Sequence, residues 1–93
     1  MTNVTLGENC IILPNTVINH DARIGDFSIV NSACVVNGGV ELGHNCYMGS
    51  SSSIKENCLI SPNITLGMAS IVLRNLEQPG IYFGSPARFV RKL

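Results

Sequence analysis

His20 and His44 are the two side chains of this chain whose ordinary titration lets them act as a neutral base near pH 7. His44 stands in ELGHNC with nothing reactive at a matching interval, and it reads as an exposed corner residue. His20 is different, because Gly38 follows it after eighteen residues and Glu56 after thirty-six, and Gly38 is itself followed by Gly39. If eighteen residues return the chain to the same place, His20 faces a notch free of side chains, with backbone N–H groups accessible. A base beside such a notch suits acyl transfer, in which a proton must leave the acceptor and donors must hold the carbonyl oxygen. Asp21 can orient the imidazole if a corner interrupts the alternation that sends adjacent strand residues to opposite sides. Arg74, Arg88, Arg91 and Lys92 form a second constellation, suited to an anionic ligand such as a phosphate-bearing cofactor.

The elements that position these residues follow from a period of six. An aliphatic residue or Met recurs at Leu6, Ile12, Ile18, Ile24, Val30, Val36, Leu42, Met48, Ile54, Ile60, Leu66 and Val72. Two places earlier stands a mostly small residue, so each pair lies on one face of a short strand. Gly or Asn follows the aliphatic residue in eight of the twelve repeats, and a left-handed corner is expected there. Three hexads then close a triangular coil of eighteen residues, and about four coils stack. The predicted fold is all-β, a parallel β-helix over residues 1–75, with a capping loop and short tail over 76–93 where Pro79, Gly80, Gly84 and Pro86 break the rhythm. A terminal cap is expected because the last coil otherwise exposes bare strand edges.

The composition narrows the function classes. Six bases balance six acids, there is no Trp, and no basic stripe runs along the chain, which argues against a nucleic-acid partner. The charge is nevertheless divided, with acids dominant before residue 50 and bases after it, so an anion would favour the C-terminal half. The apolar runs are too short to span a membrane, and the first ten residues lack the features of a signal peptide, so a cytoplasmic location is expected. Cys10, Cys34, Cys46 and Cys58 all occupy the small inward slot and none has CxxC spacing. Reduced thiols and no metal site are therefore expected.

The hexads LGENCI, IGDFSI and LGHNCY resemble those of hexapeptide-repeat acyltransferases, whose left-handed parallel β-helix the resemblance implies here. NTVINHDARIGDFSIVNSACVVNGGVELGHNCYMGS and the terminal GIYFGSPAR are similar to the C-terminal domain of bacterial sugar O- or N-acetyltransferases of the NeuD-like, sialic-acid and bacillosamine type. That resemblance covers essentially the whole chain. It implies His20 as general base, Gly38 against the thioester of acetyl-CoA, a sugar or sugar-nucleotide acceptor, and a homotrimer with parallel axes. It also implies that a separate nucleotide-sugar-binding protein could supply the domain that precedes the coils in such enzymes.

Assembly is expected on physical grounds as well. A narrow four-coil prism is a thin independent core, and Ile11, Val17, Ile29, Val35, Tyr47, Leu59 and Ile71 point outward, one place before each inward aliphatic. Within this picture Gly38, Gly39, Arg74 and Arg88 are the expected cofactor contacts, with the phosphates toward the C-terminal coils. The alternative is a non-catalytic trimeric scaffold, favoured by Ile29 and Leu13, which stand where the family commonly has His and Asn. A zinc-dependent carbonic anhydrase of the same helix type needs three His per metal, and this chain has two.

Overall fold

The computed structural model describes residues 3–93. Short parallel strands, almost all of two residues, stack into three sheets that form the sides of a prism. Thr5–Leu6, Arg23–Ile24, Glu41–Leu42 and Leu59–Ile60 make the first side. Ile11–Ile12, Ile29–Val30, Tyr47–Met48 and Ile64–Leu66 make the second. Val17–Ile18, Val35–Val36, Ser53–Ile54 and Ile71–Val72 make the third. The register pairs Leu6 with Ile24, Ile24 with Leu42 and Leu42 with Ile60, as the six-residue period predicts, and the other two columns follow suit. This all-β solenoid of about four turns fits the left-handed β-helix of hexapeptide repeats.

Each coil is tied to the next along the axis by rungs such as Arg23 N–H to Val40 O at 2.8 Å and Gly25 N–H to Leu42 O at 2.7 Å. The small inward residues add a second ladder. The side chains of Cys10, Ser28, Cys34, Cys46 and Ser52 each donate to the carbonyl fifteen residues on, which is the first corner residue of the next coil. Cys, Ser and Thr fit this slot because they are small and carry a donor. Ser28 shows what is at stake: fully buried, it donates to Gly43 O at 2.8 Å and accepts the Cys46 N–H at 3.0 Å. Ser28→Ala leaves both groups without a partner in the core, so the denaturant midpoint should fall by an amount equivalent to about 1–3 kcal/mol.

All four cysteines are free. Burial raises the thiol pKa of Cys34, Cys46 and Cys58, partly offset for Cys34 and Cys46 by hydrogen bonds from backbone N–H groups. A thiol harder to ionise folded than unfolded contributes stability below its ordinary value, near pH 9, and loses it as pH rises further. Urea midpoints should therefore be flat between pH 7 and 8 and decline above about pH 9.

Two expectations about the chain path are corrected. The left-handed residue of each corner is not the Gly or Asn after the aliphatic but the residue two places later, and the positions include Asp21, Phe27, Ala33, Ser51 and Ala69. From the second coil on, that residue's N–H donates along the axis to the coil before it, as from Phe27 to Glu8 O and from Ala33 to Pro14 O. The glycines after the aliphatics serve close stacking instead: a Cβ at Gly43 would lie 2.6 Å from Pro62 N.

Beyond residue 75, where a loop and tail were expected, the chain stays in the sheets. Leu76 bridges to Ile60, and Gly80–Phe83 pairs in parallel with Ile64–Leu66. Ile64 meets Gly80 after sixteen residues rather than eighteen, so this coil is shortened. Arg88–Arg91 then turns back antiparallel on Gly80–Phe83. Leu76, Tyr82 and Ala87 are buried over the last full coil, and Tyr82 packs edge-on against Phe89 with ring centroids 5.5 Å apart. At the other end of the prism Leu6 is half exposed.

Candidate active site

The corner between the third and first sides carries one chemistry-bearing column. It runs from His20 in the second coil through Gly38 to Glu56, with Asn19, Asn37 and Asn57 beside it. His20, Asn19, Asn37, Gly38, Glu56 and Asn57 line a single open groove.

His20 is well exposed, and its ring lies against the next coil at Gly38. A Cβ at Gly38 would lie 2.7 Å from both Cε1 and Nε2 of the imidazole, so only glycine leaves the ring this place. The Nδ1 edge meets Asp21 Oδ2 at 3.2 Å. Adjacent residues manage this because Asp21 is the left-handed corner residue, with φ of 61°, which swings its side chain back toward its neighbour. An ionised carboxylate can only accept, so the proton sits on Nδ1 and the Nε2 lone pair is free beside Gly38.

Backbone donors are fewer than expected. The Gly39 N–H is committed to His20 O at 3.0 Å, whereas the Gly38 N–H takes no backbone partner among the described residues. Asn19 Nδ2 reaches Asn37 Oδ1 at 3.3 Å, and Asn37 Nδ2 donates to Ile54 O at 2.8 Å, so an amide ladder stiffens the corner behind the groove. Asn37 and Asn57 were missed in the sequence; their offset of eighteen and thirty-six residues from Asn19 and Asp21 was the available signal.

The structure thus brings His20, Asp21, Gly38 and Gly39 together. Arg74 follows the last strand of the third side, where the corner is two residues shorter than in the earlier coils, and it lines a separate groove with Glu77, Tyr82 and Phe89. Arg88 does not join them: it sits on the outermost strand of the second side, which is opposite this corner. Among the described residues no group of three or more His, Cys, Asp or Glu side chains could hold a metal ion, and no helix is long and apolar enough to cross a membrane.

Residues 3–38 match the family described as bacterial transferase hexapeptide (six repeats). The chain is a hexapeptide-repeat β-helix. Solved structures share the fold. A single-residue variant of AntD, an N-acyltransferase from Bacillus cereus in complex with dTDP-4-amino-4,6-dideoxyglucose and coenzyme A, superposes with a TM-score of 0.90 at 20% identity, over 98% of this chain and 64% of that one. PerB from Caulobacter crescentus, in complex with coenzyme A and GDP-perosamine, gives a TM-score of 0.72 at 26% identity over 92% of this chain and 50% of that one. A hexapeptide transferase family protein from Anaplasma phagocytophilum gives 0.66 at 21% identity, over 97% and 68%. The β-helix described here spans between half and two thirds of the length of the AntD and PerB chains. No curated protein sequence matches it significantly.

Proposed function

We propose that this hexapeptide-repeat β-helix is the catalytic unit of an acyltransferase that moves the acyl group of acyl-CoA, acetyl-CoA in the first instance, to the amine of a sugar nucleotide. One observation carries the reading: the His20 imidazole, held by Asp21 at Nδ1, presents Nε2 over the side-chain-free surface of Gly38. The complexes of PerB and AntD with coenzyme A and sugar nucleotides support the choice of donor and acceptor.

In this mechanism the acceptor amine attacks the thioester carbonyl above Gly38, forming the C–N bond as the carbonyl electron pair moves onto oxygen. The Gly38 N–H holds that oxyanion. His20 Nε2 takes the proton released by the nitrogen. Collapse of the oxyanion breaks the C–S bond, and the departing coenzyme A thiolate takes the proton back from the imidazolium, leaving amide and free thiol. The donor lies along the corner, with its phosphates toward Arg74.

The active form is proposed as a homotrimer with the site at its interface. A closed three-membered ring needs two different complementary patches on each subunit. The second side presents Ile11, Ile29 and Tyr47 and the third presents Val17, Val35 and Ile71, while the first is more polar with Thr5, Arg23 and Glu41. The His20 corner borders the third side, so a neighbour packed there would wall the groove. A cytoplasmic setting is proposed with it, in which the four free cysteines stay reduced.

Titration with coenzyme A in a calorimeter, paired with light scattering, tests this reading. One coenzyme A per subunit and a particle of three times the 10.0 kDa chain are expected. A trimer that gives no heat with coenzyme A would reject it in favour of the scaffold, and a monomer would reject the site at a subunit interface.

A further inference from the structure

Gly38 and Gly39 leave two side-chain spaces in one corner, and both are filled from neighbouring coils. The His20 ring occupies the first from the coil before, and the Asn57 carboxamide occupies the second from the coil after, its Oδ1 in contact with the place a Gly39 Cβ would take. The backbone follows the same pattern, with Gly39 N–H bonded to His20 O and Asn57 N–H to Gly38 O at 2.9 Å. The base therefore lies against Gly38 and the carboxamide against the adjoining Gly39, reaching this corner from opposite directions along the axis, and both line the groove.

Asn is common at this left-handed position, where its conformational tolerance is reason enough for it. What distinguishes Asn57 is its place, against Gly39 in the His20 groove, with no side-chain hydrogen bond among the described residues. On another corner Asn45 Nδ2 donates to Asn63 Oδ1 at 2.8 Å, and Asn75, one coil beyond Asn57, accepts the Leu59 N–H with its Oδ1 at 2.8 Å. The equivalent of Asn57 in the preceding coil is Gly39, which has no side chain to bond. Oδ1 is the carboxamide atom nearest Gly39 and Cγ lies 3.2 Å from the same point, so Nδ2 is the outer atom of the group.

We infer that Asn57 is a catalytic residue whose Nδ2 is the second donor to the carbonyl oxygen, completing with the Gly38 N–H a two-donor oxyanion site. It acts at the moment the nitrogen–carbon bond forms and the carbonyl π pair moves to oxygen, and it neither gives nor takes a proton. This rests on the acyl-transfer reading above. A preorganised oxyanion donor is worth about 10²–10³ in kcat.

The test uses the full chain with acetyl-CoA and, as acceptors, dTDP-4-amino-4,6-dideoxyglucose and GDP-perosamine. Asn57→Ala is structurally acceptable, because Ala33 and Ala69 already hold the same left-handed corner position. Its kcat is expected to fall about 10²–10³-fold, with the KM for acetyl-CoA and coenzyme A binding within about twofold of the starting protein. Asn57→Asp, which keeps the shape but presents acceptors only, should not restore the rate, whereas Asn57→Gln or Asn57→Ser, which retain a donor, should recover part of it. Full kcat in Asn57→Ala, or equal activity in Asn57→Asp, overturns this inference alone. No transfer by the unaltered chain to either amino sugar overturns the acyl-transfer reading and this inference with it.

Discussion

His20→Ala is expected to lower acyl transfer by about 10²–10⁴-fold, the usual contribution of a positioned general base, while the protein keeps its fold and its affinity for coenzyme A. The imidazole makes one side-chain hydrogen bond, to Asp21 Oδ2, and the side chains of both residues are mostly exposed, at 69% and 61%. Removing the ring leaves no buried partner stranded and opens no cavity in the stacked columns, so the thermal midpoint should stay within a degree or two. His20→Asn separates base chemistry from bulk, since a carboxamide fills much of the space over Gly38 but cannot take the proton. Release of free coenzyme A thiol is a direct readout once the constant signal of the partly buried Cys10 is subtracted, because Cys34, Cys46 and Cys58 are buried. Undiminished turnover in both variants would place the base elsewhere. His44, on the corner between the first and second sides, would then be the next residue to change.

Gly38→Ala should be nearly as damaging by a different route. Gly38 does not hold a left-handed conformation, so alanine suits its backbone. Its methyl would stand 2.7 Å from Cε1 and Nε2 of His20, closer than carbon and nitrogen can approach without bonding. The ring is exposed and free to rotate away, which keeps the stability cost small, within about 0.5 kcal/mol. The chemical cost is large, because a displacement of about 1 Å in a reacting group can cost 10²-fold in rate. A stable Gly38→Ala protein with kcat reduced about 10²-fold or more is therefore expected. Unchanged kcat would show that His20 works from a different rotamer and that the thioester does not sit beside Gly38.

These two variants also show where the sequence was sufficient. The columns follow from arithmetic: once an aliphatic residue recurs every six places and three strands close a turn, residues eighteen apart must stack. Leu6, Ile24, Leu42 and Ile60 do so, and the same interval brings His20 to Gly38. The small inward slot was equally legible as a position, because alternation in a strand fixes which side it faces.

Tertiary structure decided what the period does not contain. Which corner residue turns left-handed is set by the geometry of the turn itself, and Phe27 and Ala33 adopt that conformation although their types do not favour it. The hydrogen-bond role of the Cys and Ser slot required the carbonyl fifteen residues away, an interval with no signature in a sixfold repeat. Arg88 appeared close to Arg74 because both lie in a basic C-terminal stretch, yet the shortened last coil and the antiparallel return carry it to the opposite side of the prism. Asn57 drew no attention as one of ten asparagines. Its distinction arises from rotamers, since its carboxamide and the His20 ring fold from two coils into the space that two glycines leave empty, and no spacing rule specifies a side chain's torsion angles.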